Sequence, residues 1–504
     1  MLAPSPVIPA KDLAMPLQCA KILATIGPGT ANPDTLKALI QAGARAIRLN
    51  MSHGDQPTHK GYIDLIRQVE AGLGIPIAIL ADLQGPKLRT GTLKDHEPIL
   101  LVPGQRVTMQ ASKEPGYSED SGTLITTPSA DLMATLEIGG TVLINDGALR
   151  LTVVERVDTA TIICEVKVGG PLSERKGINV PDSPMSLAAL TEKDKGDAIF
   201  AVNHGADFLA LSFVRSASDI EDLKTFLTQQ HLRIPPIIAK IEKPQALTEI
   251  DAILKACWGL MVARGDLGVE LSAKEVPIVQ KNLIARANQF EKPVIVATQM
   301  LESMILAPTP TRAEVSDVAN AIFDGADAVM LSAESATGQY PCEAVRTMSE
   351  VVTEAEKHFH ALQRRPHDPS TVPAAHFHHT IAHAASYAAM RSPVSAIVVL
   401  SESGRMAQRL SKLKPNVPII AITESLEVWR KMALLWGVTP LMSPYADTTE
   451  EMINQIESLL FARKLLKTGD SILFCAGMTP ILGATDMLKF FTLGSAVRSG
   501  IGLL

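Results

Sequence analysis

Residues 237–266 read IIAKIEKPQALTEIDAILKACWGLMVARGD and contain two short apolar runs, Ile237–Lys240 and Gly259–Ala263, with a helical stretch between them. Runs rich in Val, Ile, Leu and Ala that alternate with helices are typical of a parallel sheet covered by helices. A polar residue stands just past each run, Glu242 after the first and Asp266 after the second. The stretch therefore predicts one β-α-β unit whose strand ends carry functional groups.

The same unit recurs on both sides of this stretch. Six further runs of the same kind are Lys21–Gly27, Ala46–Asn50, Ile77–Asp82, Asp207–Phe213, Val294–Thr298 and Asp327–Leu331. Eight units predict a closed (β/α)8 barrel, in which catalytic groups collect at the carboxyl ends of the strands. The residues at or just past the eight ends are Arg48, Asn50, Asp82, Lys240, Glu242, Asp266, Thr298 and Ser332. Their position indicates an enzyme.

The barrel pattern is interrupted once. Residues 90–185 show short alternating stretches separated by turn residues, which predicts an inserted all-β domain between two barrel segments, 19–89 and 186–357. The insertion follows the third strand, on the face where a barrel keeps its active site, so it is well placed to act as a lid. Gly85-Pro86 and the segment from Pro181 to Pro184 are the predicted hinges.

The two ends of the chain lie outside the barrel. Residues 1–18 are expected to be an N-terminal extension, and the proline-containing residues 358–375 a linker. Residues 376–504 predict a C-terminal α/β domain with an open, doubly wound sheet. Its strand-like runs are Ser395–Leu400, Val417–Ile422, Gly437–Leu441 and Ser471–Cys475.

Composition excludes several classes of protein. The chain has 504 residues and a net charge of −6 with no basic stripe, so we expect no nucleic-acid partner. No apolar run is long enough to cross a bilayer, and residues 1–18 lack the apolar region of a secretory signal, so we expect no membrane partner. The five cysteines are scattered without a CxxC spacing, which favours a reducing, cytoplasmic location.

Three strand-end residues suggest a metal site. Lys240 and Glu242 are two apart in an extended chain and point the same way. Glu242 and Asp266 offer hard oxygen ligands from adjacent strands, which suits Mg2+ held partly by substrate oxygens and water. A lone Lys-x-Glu is more often a salt bridge beside a solvated Asp. The shared position at strand ends in an eight-run pattern favours the metal site.

Further polar residues surround this group. Arg48 and Arg89 end the second and third units, and two arginines near a metal favour bidentate capture of phosphate or carboxylate, although either alone is about equally often structural. Asn50, Ser52 and Asp82 bring more oxygens to the same edge. They form either a monovalent-cation site or supports that orient the arginines.

Two other positions invite a functional hypothesis. Thr298 follows the seventh run, where it relays a proton or holds a water, unless it is only structural. Ser401, Ser403, Gly404 and Arg405 open a helix of the last domain. Hydroxyls, a glycine and free N–H groups there suit an anion, and an ordinary N-cap is an equally good explanation.

Taken together, the motifs resemble those of the pyruvate kinase family, and the resemblance covers nearly all of the chain from Lys21 to Gly494. Neither a GxxxxGK[ST] loop nor the HRD and DFG motifs of protein kinases occur. The matching segments are Lys21–Pro28, Arg48–Gly54, Asp82–Arg89, Lys240–Glu242, Met261–Glu270, Ala297–Met304 and Pro310–Asn320.

The resemblance implies that phosphoenolpyruvate and ADP give pyruvate and ATP, with Mg2+, or Mn2+ in its place, held by Glu242 and Asp266. Lys240 would stabilise the transferring phosphoryl group and the enolate. The residues implied for phosphate and the three-carbon acid are Arg48, Arg89, Lys240, Gly265, Asp266 and Thr298. Those implied for proton delivery are Thr298, Ser332 and Glu334. Those implied for the nucleotide are His53, Lys176 and Arg89.

The resemblance also implies a K+ site and regulation. The K+ ligands would be Asn50, Ser52 and Asp82. Lys87, however, stands where strongly K+-activated members have Glu, so we expect K+ dependence to be weak because the ammonium group supplies the charge. A phosphorylated effector is expected in the C-terminal domain, at the loop of Ser401, Ser403, Gly404 and Arg405.

Two other functions stay open on the residues alone. One is a different Mg2+-dependent barrel that acts on a pyruvate enolate, and it explains neither the insertion nor Lys240. The other is a silent metabolite sensor, and it predicts a damaged site, whereas the expected groups are all present. A homotetramer is expected from the family resemblance.

Overall fold

The computed structural model describes residues 18–120, 122–181, 188–272, 274–362, 377–444, 446, 449–477 and 487–495. Its first elements are β1 (Lys21–Thr25), α1 (Pro33–Ala42), β2 (Ala44–Asn50), α2 (Gln56–Leu73) and β3 (Ala78–Asp82). Capping side chains and glycines define the ends of both helices. Asn32 and Asp55 cap their first turns by accepting N–H bonds, and glycines with positive φ, Gly43 and Gly74, end them.

The inserted domain comes next and is built on β-sheet. It contains a 3-10 helix (Lys94–His96), β4 (Ile99–Leu101), β5 (Arg106–Ala111), β6 (Tyr117–Glu119), β7 (Gly122–Thr127), α3 (Ala130–Thr135), β8 (Thr141–Ile144), β9 (Leu149–Arg156), β10 (Thr161–Val168), β11 (Gly170–Leu172) and β12 (Ile178–Asn179). Seven strands form a sheet in the order β12-β8-β9-β10-β5-β7-β6, and β11 pairs with β4. The 3-10 helix and the short helix α3 depart from the all-β expectation, and Ser129 caps α3.

The chain then returns to the barrel. Its elements are α4 (Glu192–Asn203), β13 (Phe208–Leu211), α5 (Ala217–Gln229), β14 (Ile237–Ile241), α6 (Gln245–Thr248), α7 (Ile250–Ala256), β15 (Gly259–Ala263), α8 (Arg264–Glu270), α9 (Val276–Gln289), β16 (Val294–Ala297), a 3-10 helix (Glu302–Ile305), α10 (Arg312–Phe323), β17 (Ala328–Leu331), α11 (Ala333–Ala336) and α12 (Pro341–Leu362). The barrel closes in the order β1-β17-β16-β15-β14-β13-β3-β2, with parallel pairing. Each predicted run overlaps one of these strands, so the predicted barrel is confirmed.

The C-terminal domain holds a second open sheet. Its elements are α13 (Phe377–Arg391), β18 (Ala396–Leu400), α14 (Arg405–Lys412), β19 (Ile419–Thr423), α15 (Leu426–Met432), β20 (Val438–Met442), α16 (Thr449–Ala462), β21 (Ser471–Ala476) and β22 (Met487–Thr492). The strand order is β20-β19-β18-β21-β22, and β22 is antiparallel. The predicted α/β fold is confirmed, while β22 had not been predicted. Helix α12 extends to Leu362, into the predicted linker, and residues 363–376 lie outside the described ranges.

The C-terminal domain also closes the bottom of the barrel. The side chains that fill the barrel interior form one buried cluster with Ala433 and Leu434, which follow α15. At the same end, Lys21 of β1 donates to the Val438 carbonyl over 3.0 Å. Since apolar surface is stabilised by removal from water, the barrel core is complete only with residues of another domain.

Candidate active site at the carboxyl end of the barrel

Four charged side chains from three strands meet at the opposite end of the barrel. Asp82 ends β3, and its Oδ2 lies 2.7 Å from Arg48 Nε while its Oδ1 lies 3.1 Å from Lys240 Nζ. The same Nζ lies 2.9 Å from Glu242 Oε1 and donates to Ser212 Oγ over 2.6 Å. The Asp82 and Glu242 side chains are 2% and 1% exposed, so the network is buried.

Charge balance sets the protonation of this network. Burial alone would lower the pKa of Lys240, but the charges of Asp82 and Glu242 raise it above its ordinary value. Burial favours a protonated Asp82, yet Lys240 and Arg48 hold the pKa of that carboxyl below its usual range. Burial raises the pKa of Glu242, and the like charge of Asp266 adds to it. Lys240 is therefore a permanent cation.

A second set of polar contacts surrounds the first turn of α8. The N–H of Gly265 donates to Thr298 Oγ1 over 2.7 Å, and Arg264 donates to the Thr298 carbonyl over 2.6 Å. Asp317 fixes Arg264, with Oδ2 2.6 Å from Nη1. Thr298 has φ +70°, which is unfavourable for a β-branched residue. Such strain persists where surrounding contacts enforce it, and it is common at functional sites.

Ser332 and Glu334 lie at the end of β17, next to the strand that leads to Thr298. The N–H of Ser332 donates to Glu334 Oε2 over 2.7 Å, and the N–H of Leu301 donates to Oε1 over 3.3 Å. Burial raises the pKa of Glu334. The carboxyl group is therefore held in a fixed orientation and keeps a proton more readily than an exposed glutamate does.

The residues predicted for K+ are only partly together. Asn50 lies opposite Asp82 in the β2–β3 register, and its Oδ1 accepts from the Ser52 N–H over 3.2 Å. Asp82, however, is already engaged by two cations. Burial and then the charge of Lys240 lower the pKa of Lys87, whose side chain lines the cleft next to this network together with Asp266.

A cleft of about 540 Å3 lies between the barrel and the inserted domain. Lys176 and Arg89 line it, and Arg89 donates to the Arg175 carbonyl over 2.8 Å. Six basic side chains and three acidic ones line the cleft, which favours an anionic ligand. The basic ones are Lys87, Arg89, Arg175, Lys176, Arg215 and Lys243. Burial, followed by the charges of Lys87, Arg89 and Arg48, lowers the pKa of His53.

The predicted effector loop belongs to the C-terminal domain. Gly404, with φ +78°, precedes α14, and Ser403 Oγ accepts from Arg405 Nε over 3.3 Å. Ser401 Oγ accepts from the Ala407 N–H over 3.4 Å. Lys431 donates to the Ser403 carbonyl over 2.8 Å.

Comparison with known proteins identifies the family. The profile described as "Pyruvate kinase, barrel domain" matches residues 17–345, and "Pyruvate kinase, alpha/beta domain" matches residues 379–491. The chain belongs to the pyruvate kinase family. It is therefore a phosphotransferase, and the resemblance seen in its motifs is confirmed.

Individual pyruvate kinases are similar over most of their length. The chain is 42% identical to pyruvate kinase of Clostridium perfringens over 476 residues, which cover 94% of this chain and 99% of that protein. It is 41% identical to pyruvate kinase 2 of Synechocystis over 487 residues, 96% of this chain and 80% of that protein. A crystal structure of a pyruvate kinase from Cryptosporidium parvum, 34% identical, superposes with a TM-score of 0.86 and covers 95% and 96% of the two chains.

The donor chemistry fits the divalent cation expected for this family. Within the described ranges, no three histidine, cysteine or acidic side chains gather as a metal site of their own. Two carboxylates, Glu242 and Asp266, suit Mg2+, which proteins usually hold through one or two carboxylates while substrate oxygens and water complete its shell. In the parts of the chain that the structure describes, no helix is long and apolar enough to cross a membrane.

Sequence reasoning missed four residues that support the site. Ser212 contacts Lys240, Arg264 holds Thr298, and Lys243 pairs with Glu270 over 2.5 Å. Arg264 and Lys243 each adjoin a strand end, a signal that could have identified them. Ser212 directly follows β13 and carried the same signal, whereas Glu270 offered none, since its role depends on contacts between distant segments.

Proposed function

We propose that this chain transfers the phosphoryl group of phosphoenolpyruvate to ADP and forms pyruvate and ATP. The observation that carries the proposal is Lys240, a buried cation held between Asp82 and Glu242 beside a basic cleft. Phosphoryl transfer depends on positioning and charge neutralisation more than on a covalent group of the protein. A fixed, permanently charged lysine is suited to that task.

The proposed metal ligands are Glu242 and Asp266, for Mg2+ or for Mn2+ as an alternative. When bound, the cation supplies positive charge at the phosphoryl oxygens. Lys240 neutralises the charge of the transferring group and of the enolate oxygen that retains the electron pair of the broken bond. Arg48 and Arg89 hold phosphate oxygens, and the N–H of Gly265 and the Thr298 hydroxyl orient the carboxylate of the substrate.

The second half of the reaction adds a proton to the enolate carbon. We assign this delivery to Thr298 with Ser332 and Glu334 behind it. Burial keeps Glu334 inclined to hold a proton, and two backbone N–H groups fix its orientation. His53, Lys176 and Arg89 are the proposed nucleotide contacts, with the inserted domain as the lid that excludes water.

Lys87 is the proposed substitute for K+. The charge of Lys240 acts on its ammonium group, and its side chain lines the cleft beside the buried network, which supports this assignment. The test is pyruvate release from phosphoenolpyruvate and ADP with Mg2+, first without K+ and then with it, in a Na+ background. Activity in both buffers supports the enzyme and the substitution. Strong activation by K+ would refute the role of Lys87, and no activity in either would refute the function.

Regulation is proposed at the loop of Ser401, Ser403, Gly404 and Arg405. A phosphorylated small molecule suits hydroxyls and an arginine at the start of α14. The test compares activation of the wild type and Arg405→Ala by sugar phosphates and nucleotides. Unchanged activation by every compound would contradict this site. A homotetramer and a cytoplasmic location remain predictions.

A further inference from the structure

Glu270, Lys243 and Asn179, called the Glu270 bridge here, join the inserted domain to the barrel. Glu270 ends α8, and its side chain is only 2% exposed. Its Oε1 lies 2.5 Å from Lys243 Nζ of the barrel and accepts from Asn179 Nδ2 of β12 over 2.9 Å. A buried carboxylate is unfavourable without partners, so both donors stabilise it.

The bridge sits next to both proposed metal ligands. Lys243 directly follows Glu242 in the chain, and Glu270 lies four residues after Asp266 in α8, one helical turn away on the same face. The ion pair between Lys243 and Glu270 therefore ties together the two segments that carry Glu242 and Asp266.

A second contact continues from Lys243. Its ammonium group lies 5.7 Å from the ring centroid of Phe213, a residue with φ +55°. The N–H of Phe213 donates to Glu242 Oε2 over 2.7 Å. Lys243 thus touches the residue that orients Glu242, in addition to adjoining it in the chain. Lys243, Asn179 and Asp266 all line the cleft.

We propose that the Glu270 bridge is a positioning device that couples docking of the inserted domain to the separation of the two metal-ligating segments. When the inserted domain docks, Asn179 completes the partners of Glu270, and the Lys243 ion pair then holds α8 against the end of β14. The proposal rests on the proposed function only in its assignment of Glu242 and Asp266 as metal ligands.

The test measures Mn2+ binding to the full-length protein without substrates, by electron paramagnetic resonance of the free ion. The variants are Lys243→Met, Glu270→Gln, Asn179→Ala and their combinations. Each single variant is expected to raise the Kd for Mn2+ by about three- to tenfold. Because the three residues act as one unit, a combined variant should have a Kd no higher than that of the most affected single variant. The KM for ADP should rise in Asn179→Ala.

Matched controls separate this role from general loss of structure. Lys281→Met removes a barrel ion pair with Asp324, and Gln110→Ala removes an amide contact with Thr161 inside the inserted domain. Both should bind Mn2+ as the wild type does. Two results would overturn the bridge and leave the proposed function intact. One is a Kd for Mn2+ that increases multiplicatively when the bridge substitutions are combined. The other is an unchanged Kd in bridge variants that still form pyruvate. A wild type that binds Mn2+ in this bridge-dependent way but forms no pyruvate would overturn the function alone.

Discussion

Two buried lysines at opposite ends of the same barrel have opposite surroundings. At the carboxyl end, Lys240 lies within 3.1 Å of Asp82 and 2.9 Å of Glu242. At the bottom, Lys412 of the C-terminal domain pairs with Asp327, which a second lysine also contacts. The first cluster has two carboxylates around one ammonium group, whereas the second has one carboxylate for two.

This ratio decides the charge state of each lysine. Burial disfavours the charged form at both ends. Two carboxylates overcome that effect for Lys240 and raise its pKa, whereas burial lowers the pKa of Lys412 to about 8, with Lys414 opposing the attraction of Asp327. A buried lysine is thus a dependable cation where two carboxylates lie against its ammonium group, which is the arrangement at the carboxyl end of the barrel.

The largest expected difference between the two ends of the barrel comes from removing each ammonium group in turn. Lys240→Met should lower kcat by about 10^4-fold, since a cation at the transferring phosphoryl group is lost. Lys412→Met should leave kcat within about threefold, because it lies at the far end of the barrel. Steady-state pyruvate formation measures both, with circular dichroism to confirm folding. Equal losses in the two variants would contradict the assignment of chemistry to one end.

Removal of the aspartates should reverse the order for stability. Asp327→Asn removes the carboxylate that pairs directly with both Lys412 and Lys414 and should cost about 3 kcal/mol of unfolding free energy. Asp82→Asn should cost about 1 kcal/mol, since Lys240 keeps Glu242. Chemical denaturation compares the two. A larger loss in Asp82→Asn would show that the bottom cluster does not depend on its single acid.

A Lys87 variant tests whether K+ can replace the ammonium charge of Lys87 at the carboxyl end of the barrel. In Lys87→Glu, K+ should activate the enzyme about tenfold, because the variant lacks the ammonium charge of Lys87. A tenfold change corresponds to the free energy of about one charge-assisted hydrogen bond. Lys94→Glu, on the exposed surface of the inserted domain, is the matched control and should respond to K+ as the wild type does. The readout is kcat with and without K+ in a Na+ background, and K+-independent activity of Lys87→Glu would contradict the exchange.

The most gradual expected effect is a pH dependence of stability. In the unfolded chain Lys412 keeps its proton up to about pH 10.5, but in the folded protein only up to about 8. Between these values the unfolded state binds more protons, so this residue adds stability as pH rises. The unfolding free energy of the wild type relative to Lys412→Met should therefore increase by about 1 kcal/mol per pH unit in that window.

The matching experiment on Lys240 should give no such slope. Its folded pKa lies above the ordinary value, so its contribution is complete below the unfolded pKa and is lost only at still higher pH. Denaturation curves at pH 7, 8, 9 and 10 test both variants. A constant difference between wild type and Lys412→Met would show that Lys412 keeps its proton throughout.

The sequence predicted whatever depends on neighbours along the chain. Alternating apolar runs located all eight barrel strands, and the position of Lys240 and Glu242 at a strand end indicated a site. It could not predict that Asp82 pairs with Lys240, since 158 residues and an inserted domain separate them, or that Leu434 fills the barrel interior. Such contacts depend on packing that local propensity does not encode. β22 was missed because Lys489 divides its apolar residues into two short pairs, and none of its side chains is fully buried.

The seal of the barrel by Ala433 and Leu434 has a consequence for biosynthesis. A ribosome makes the eight barrel strands first, and the residues that close their interior are translated only after β17 and the first elements of the C-terminal domain, through α15. Until then the nascent barrel has an open apolar mouth, which a chaperone is able to recognise. Completion of the barrel core is thereby tied to translation into the C-terminal domain, so a chain that terminates before Ala433 remains marked for quality control.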